Sequence, residues 1–248
     1  MDFHCHLDLY PNARDVFKEA AQRNEFTWLV TTSPKAFAAT SRVLAGAASV
    51  MITPGLHPEI AQDRAPELEL LLQQIAGTAA VGEVGLDGSS RFRSSYALQR
   101  HIFEVVVERC AELGGRTLSI HSRQAVGDVL STLSRFPGFG TAVLHWFTGT
   151  PSQLRAAEEM GCWFSIGPAA FASSSGRTLA AKLPRSRVVP ESDGPFAKVG
   201  GKPVLPWSMQ DTARDLALAW GVASDEALEV LLQNSRVLLA TMATYRGI

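Results

Sequence analysis

A (β/α)8 TIM barrel, an α/β fold built as one domain over residues 1–248, is what the sequence predicts, on three observations. Apolar, β-branched or aromatic runs alternate with helix-like segments eight times along the chain. No Gly-x-Gly-x-x-Gly follows any of the strands, so the main alternative, an open doubly wound sheet binding a dinucleotide, has no support from that motif. Side chains able to hold a metal or move a proton fall at the C-terminal ends of the strands, the rim where active sites of this architecture sit.

The chain opens on Met1-Asp2-Phe3-His4-Cys5-His6-Leu7-Asp8, read as the first strand. Strand side chains alternate between faces, so His4 and His6 share one side and Cys5 takes the other. Residues 14–23 read as a helix and 26–32 as a second strand. Ser33-Pro34 is an N-cap with proline at the first helical position, opening a helix through residue 45. The third strand, 49–54, ends at Gly55-Leu56-His57-Pro58. Residues 66–75 are helical and 79–84 form the fourth strand. A helix from 95 to 113 stops at Gly114-Gly115, a strong C-terminal signal. Then come strand 116–121, helix 126–136, strand 141–145, helix 151–160, strand 162–166, helix 176–183 and strand 187–191, and helices 208–220 and 225–244 close the chain. Gly200-Gly201-Lys202-Pro203 and Ser173-Ser174-Ser175-Gly176 read as surface loops, and no repeat or linker divides the domain.

Composition sets limits on function. The chain is 46% apolar and 19% charged, ordinary for a soluble globular protein. A net charge of −1 excludes a broad basic surface that would hold duplex DNA by counterion release. Any nucleic-acid contact must then be local, through metals and a few arginines. Three cysteines, an odd number spread widely, argue for packing residues in a reducing compartment and against a disulfide framework. With no charged leader before an apolar run and no uninterrupted apolar stretch of about 18 residues, neither export nor membrane insertion is expected, and the protein is expected in the cytoplasm.

His4 and His6 end the first strand, His57 follows the third, Glu83 ends the fourth, His121 the fifth and His145 the sixth; Glu191 and Asp193 follow the eighth. Five of the six histidines are thus at strand ends, with His101 in mid-helix as a surface or packing residue. One His-x-His pair arises by chance in roughly one such sequence in seven, but scattered structural histidines have no reason to select strand ends, so the set reads as a metal site. Individually the residues say less. His57 in Gly-Leu-His-Pro suits a turn, a substrate-orienting role or ligation equally. Glu83 lies in an apolar strand, where a carboxylate is costly unless paired or metal-bound. Glu191 can simply hydrogen-bond a ligand or a backbone amide, and Asp193, before Gly194-Pro195, is also a good turn former.

Asp2-Phe3-His4-Cys5-His6-Leu7-Asp8, Gly55-Leu56-His57-Pro58, Gly82-Glu83-Val84-Gly85-Leu86-Asp87, Ile120-His121-Ser122-Arg123, His145-Trp146-Phe147-Thr148-Gly149 and Glu191-Ser192-Asp193-Gly194-Pro195 resemble, in order and nearly end to end, the motifs of the TatD family of metal-dependent deoxyribonucleases. Asn234-Ser235-Arg236 resembles the family's closing helix. The fuller wording, His4 through Pro11 and Leu144-His145-Trp146-Phe147, resembles the TatD-type component of Qat anti-phage defence systems.

The resemblance implies a barrel of the metal-dependent hydrolase type with two divalent ions, Mg²⁺, Mn²⁺ or Zn²⁺. His4, His6, Glu83 and Asp193 would hold one ion and Glu83, His121 and His145 the other, with Glu83 bridging. Such a pair clamps a phosphodiester and lowers the pKa of a water toward neutrality. Asp193 and Glu191 are the implied catalytic residues, Asp193 accepting the water's proton and Glu191 orienting the water. His57, Ser122 and Arg123 would meet the scissile phosphate, the arginine because its planar fork suits two phosphate oxygens. Trp146 either stacks on a terminal base or, by strand alternation, faces the core. The implied activity is exonuclease-type cleavage of DNA, at single-stranded or frayed ends, in anti-phage defence alongside other proteins of the same system. Two alternatives stand beside it: an amidohydrolase or deacylase using the same cluster, and a non-catalytic nucleic-acid-binding subunit of a defence complex. Gly88-Ser89-Ser90 and Phe196-Ala197-Lys198 depart from the family pattern, which leaves substrate length, strand preference and direction of cutting open.

Overall fold

The structure, a computed structural model, describes residues 1–245. Strand and helix alternate through β1 (Asp2–Cys5), α1 (Ala13–Arg23), β2 (Thr27–Val30), α2 (Pro34–Val43), β3 (Val50–Thr53), α3 (Ala61–Arg64), α4 (Leu68–Ala76), β4 (Ala80–Gly85), α5 (Tyr96–Glu112), β5 (Arg116–His121), α6 (Val126–Arg135), β6 (Gly140–His145), α7 (Pro151–Glu159), β7 (Trp163–Ile166), α8 (Ser174–Ala180) and β8 (Val188–Pro190). A hairpin of β9 (Lys198–Val199) and β10 (Lys202–Pro203) precedes α9 (Met209–Trp220) and α10 (Ser224–Thr244). The fold is α/β with the (β/α)8 order that the sequence predicts. Within each parallel sheet the strands stand in sequence order, whereas a doubly wound sheet reverses its order at a switch point. Every residue of β1, β2, β4, β7 and β8 is buried, which is why these strands read as continuous apolar runs instead of alternating ones.

The chain divides into two compact units. The first comprises Met1–Leu29, Thr40–Ile52 and Phe164–Leu238. There β1 pairs in parallel with β2, Asp2 opposite Thr27 and Cys5 opposite Leu29, and β7 pairs with β8, Phe164 opposite Val188. Past the strand ends, Asp193 N–H donates to His4 O and His6 N–H to Gly194 O, each at 2.9 Å. A core of Cys5, Leu7, Tyr10, Val16, Ala20, Leu29 and Leu44 packs under α1. Asn234 of α10 donates to the carbonyls of Arg185 (2.7 Å) and Val188 (2.8 Å), anchoring the entry to β8.

The second unit comprises Val30–Ala39, Thr53–Trp163 and Leu239–Ile248. Strands β4, β5 and β6 run parallel with Gly85 opposite His121 and Ile120 opposite Leu144, while α4 packs on α5, α5 on α6 and α6 on α7. Arg116, fully buried at the start of β5, donates to the carbonyls of Ile75, Ala76, Leu113 and Gly115. The carbonyls of Ile75 and Ala76 close α4 and that of Leu113 closes α5, so one guanidinium sits where both helix dipoles are negative.

Several boundaries differ from expectation for local reasons. The helix expected over 66–75 begins two residues later, at Leu68, behind a 3-10 turn over Ala65–Glu67 that follows α3, because Pro66 supplies no N–H to continue α3 into it. The first strand stops at Cys5, since His6 turns its N–H to Gly194 and leads into a 3-10 turn over Leu7–Leu9. The stretch at 200–203 is a hairpin, not a loop: Gly200 and Gly201 both take positive φ, +58° and +78°, the backbone that a two-residue turn demands. Ser173 caps α8 by accepting from Gly176 N–H, so the serine run begins a helix. Among the described residues no helix is long and apolar enough to cross a membrane.

Candidate metal centre

In the second unit the centre is built on Glu83, whose carboxylate is buried in β4. One of its oxygens, Oε1, meets three imidazoles: His121 Nδ1 at 2.9 Å, His145 Nε2 at 3.1 Å and His57 Nε2 at 3.2 Å. Two glycines make this approach sterically possible. A Cβ on Gly85 (φ +134°) would lie 2.1 Å from His121 O, and one on Gly55 would lie 2.4 Å from Glu83 N. Any larger residue would push the strand of His121, or the loop of His57, away from Glu83.

The three histidines differ in what they offer. Glu59 N–H donates to His57 Nδ1 at 3.1 Å, which puts the ring proton on Nε2, facing Glu83. His57 therefore acts as a hydrogen-bond donor there, not as a lone-pair ligand. His121 has carboxylates at both ring nitrogens, Glu83 at Nδ1 and Asp87 Oδ2 at Nε2, the latter also at 2.9 Å. Burial alone would lower its pKa, but Asp87 and Glu83 outweigh burial and raise it. Burial pushes Asp87 upward, and the hydrogen bonds from His121 and Ser89 reverse this and hold it at about 2. Asp87 is itself fixed, since its carboxylate accepts from Ser89 N–H (2.8 Å) and its own N–H donates to Gln99 Oε1 (2.8 Å). Sequence reasoning quoted Asp87 within a motif but gave it no task; the signal was that a ligand histidine needs a partner for its second nitrogen.

Ser122 is buried just past β5, and Arg123 is exposed with its carbonyl accepting from Gly88 N–H at 2.8 Å. Trp146 is half-buried and has φ +37°. Alternation does not turn it into the core, because the chain leaves strand geometry as soon as β6 ends. Gln124 and Asp193 are the other non-glycine residues with positive φ, +52° and +47°. All three follow strand ends, where strained backbone commonly accompanies function.

In the first unit His4 Nε2 and His6 Nε2 stand 3.6 and 3.9 Å from the same oxygen, Oδ1 of Asp193, with the imidazole rings nearly perpendicular. All three residues are buried. Asp2 braces them, accepting from Ser192 N–H (3.0 Å), Ser192 Oγ–H (2.5 Å) and His4 N–H (3.1 Å). Burial raises the Asp2 carboxyl to about 7 against those hydrogen bonds. Glu191 accepts from Ser165 Oγ–H at 2.5 Å and is buried.

Both donor sets fit a divalent cation. At 3.6 and 3.9 Å the contacts to Asp193 are too long for hydrogen bonds, yet two atoms bound to one tetrahedral ion at about 2.1 Å stand roughly 3.4 Å apart. In the second unit, Glu83 Oε1 with His121 Nδ1 at 2.9 Å and His145 Nε2 at 3.1 Å gathers one carboxylate and two imidazoles about a single point, and ligand-type atoms of Glu59, Asp87 and His121 lie within 4.8 Å of one another. Neutral imidazoles with carboxylates are a donor set for Zn²⁺, Mn²⁺ or Fe²⁺.

Known proteins are similar to this chain in sequence and fold. The family described as TatD related DNase matches residues 1–240. Human deoxyribonuclease TATDN3 is 27% identical over 260 residues, covering 95% of this chain and 92% of its own. A 3'-5' ssDNA/RNA exonuclease TatD from Edwardsiella piscicida is 36% identical over 155 residues, 58% of this chain and 57% of that protein. Among solved structures, YjjV, a TatD homologue from Escherichia coli, has a TM-score of 0.79 at 24% identity over 94% of this chain and 95% of that one, a likeness of fold.

Proposed function

The chain belongs to the TatD-related DNase family of metal-dependent hydrolases, and from that premise we propose that it is an exonuclease that trims single-stranded or frayed DNA ends. The observation that carries this reading is the convergence of three imidazoles on one buried carboxylate oxygen, Glu83 Oε1. On this reading His4, His6 and Asp193 hold one divalent ion, and Glu83, His121 and His145 a second. Divalent ions there supply charge to the phosphoryl oxygens and acidify the attacking water.

The remaining work falls to the protein's own side chains. Asp193 accepts the water's proton, and Glu191, steadied by Ser165, orients the water. His57, which Glu59 N–H holds as an Nε2–H donor, would direct that N–H to a phosphate oxygen in place of Glu83 Oε1 once substrate is bound. Ser122 and Arg123 bind the same phosphate, and Trp146 offers a face to a terminal base. The wording of the motifs around His4 and His145 supports an anti-phage role shared with other proteins of one defence system.

Purified protein is stripped with EDTA and assayed on end-labelled single-stranded DNA with Mg²⁺, Mn²⁺ or Zn²⁺ added back, alongside Glu83→Ala. Metal-dependent shortening from an end, abolished in the variant, is expected. Turnover of ester or amide substrates without DNA cleavage would place the chemistry with acyl transfer instead, and DNA binding without any turnover would make the protein a binding subunit. Plaque counts on cells carrying the gene and its neighbours, with and without Glu83→Ala, test the defence role.

A further inference from the structure

Phe196 is the one aromatic among the large hydrophobic side chains that the described residues leave exposed, at 60%. Holding a phenyl ring in water forgoes the gain of burying it, and the backbone beneath it is not loose. Ala197 N–H donates to Asp193 O and Val204 N–H to Ala197 O, both at 2.9 Å, while Gly194 O accepts from His6 N–H. The turn that presents Phe196 is thus fastened on one side to the strand end bearing His6 and on the other to the chain beyond the β9–β10 hairpin. The phenyl ring meets the His6 imidazole at 5.1 Å between centroids and 78° between planes. A nearly perpendicular contact of this kind leaves ring surface to solvent.

Resting on the nuclease reading above, we propose that Phe196 is the stacking platform for the base of the nucleotide being removed. A nucleotide whose phosphate meets an ion that His4, His6 and Asp193 would hold carries its base about one sugar away, a span comparable with the 5.1 Å separating Phe196 from His6. Every base has a π face, so the platform selects for the presence of a base and tolerates its identity. Nucleic acid made of ordinary nucleotides is therefore preferred over a strand ending in an abasic sugar.

The test measures kcat and KM on single-stranded oligonucleotides ending in thymidine or in a tetrahydrofuran abasic residue at the attacked end, for wild type, Phe196→Leu and Phe196→Trp. Wild type is expected to show a KM lower by roughly 5- to 150-fold on the base-terminated strand, the range that about 1–3 kcal/mol of stacking gives. Phe196→Leu keeps the apolar bulk and is expected to erase most of that ratio, and Phe196→Trp to retain it. An unchanged ratio in Phe196→Leu overturns the proposal while leaving the nuclease reading intact. Equal loss of kcat on both strands also overturns it, because the ring would then act by positioning His6. If wild type cleaves neither strand, the nuclease reading fails and the platform with it.

Discussion

Asp87→Asn tests whether a carboxylate outside the expected ligand set holds His121 in place. The replacement keeps an acceptor of the same shape at His121 Nε2, 2.9 Å away, and removes only the charge. Holding the Asp87 carboxyl at about 2 against an ordinary 3.8 is a difference of about 1.8, or roughly 2.4 kcal/mol at 1.36 kcal/mol per unit of pKa. Ser89 accounts for part of this, which leaves about 1–2 kcal/mol to the His121 contact. The sign of the pH dependence follows from both partners. Asp87's contribution is present above about 3.8 and lost as pH falls toward 2, whereas His121, raised above 6.5, contributes below 6.5 and loses its contribution as pH rises through its folded value. In EDTA-treated protein the wild type should therefore exceed Asp87→Asn most between about pH 4 and 6.5, by roughly 2–8 °C in Tm. Metal titration should show affinity weakened about 10- to 100-fold, the usual cost of losing a carboxylate behind a ligand histidine. A melting difference that stays flat from pH 3 to pH 9, together with unchanged metal affinity, would refute the assignment.

Other predictions concern the frame around the site. Arg116→Met removes the donor shared by four carbonyls around the ends of α4 and α5, of which those of Ile75 and Gly115 are buried, and should cost about 2–4 kcal/mol; urea unfolding should show a lower midpoint with an unchanged slope, and Arg116→Lys should recover only part of the loss. Gly55→Ala places a methyl 2.4 Å from Glu83 N and 2.5 Å from Glu83 O, contacts with backbone that cannot move aside, so about 2–4 kcal/mol of stability and most metal binding by Glu83 should be lost together. A variant that binds metal as tightly as wild type would show that the loop can retreat. Cys5, Cys110 and Cys162 are buried thiols, with burial pushing the Cys110 thiol up to about 12. A disulfide-exchange reagent should therefore find no thiol in the native protein and three after unfolding.

The strands were legible because both faces of most are buried. Each reads as an apolar run, and a histidine or glutamate at its end stands out against the residues before it, as with His121 after Ser119-Ile120 and His145 after Val143-Leu144. The same reasoning failed one residue beyond each strand, where period-two alternation no longer applies. His6 has left β1 and still reaches Asp193, and Trp146 has turned out of β6 at positive φ. Asp87 was illegible in role because its partner, His121, is 34 residues away and the pairing depends on the turn held by Ser89 and Gln99.

His57 sharpens the point. Its place after β3 is equally compatible with ligation, substrate orientation and a plain turn, and no property of Gly-Leu-His-Pro separates the three. What separates them is one backbone N–H, that of Glu59, which takes the lone pair of Nδ1 and leaves a proton on Nε2 toward Glu83. Histidines at strand ends can therefore be read from sequence as a set. The division of that set into lone-pair ligands and proton donors rests on tautomers, and tautomers are decided by short-range contacts that residue spacing does not encode.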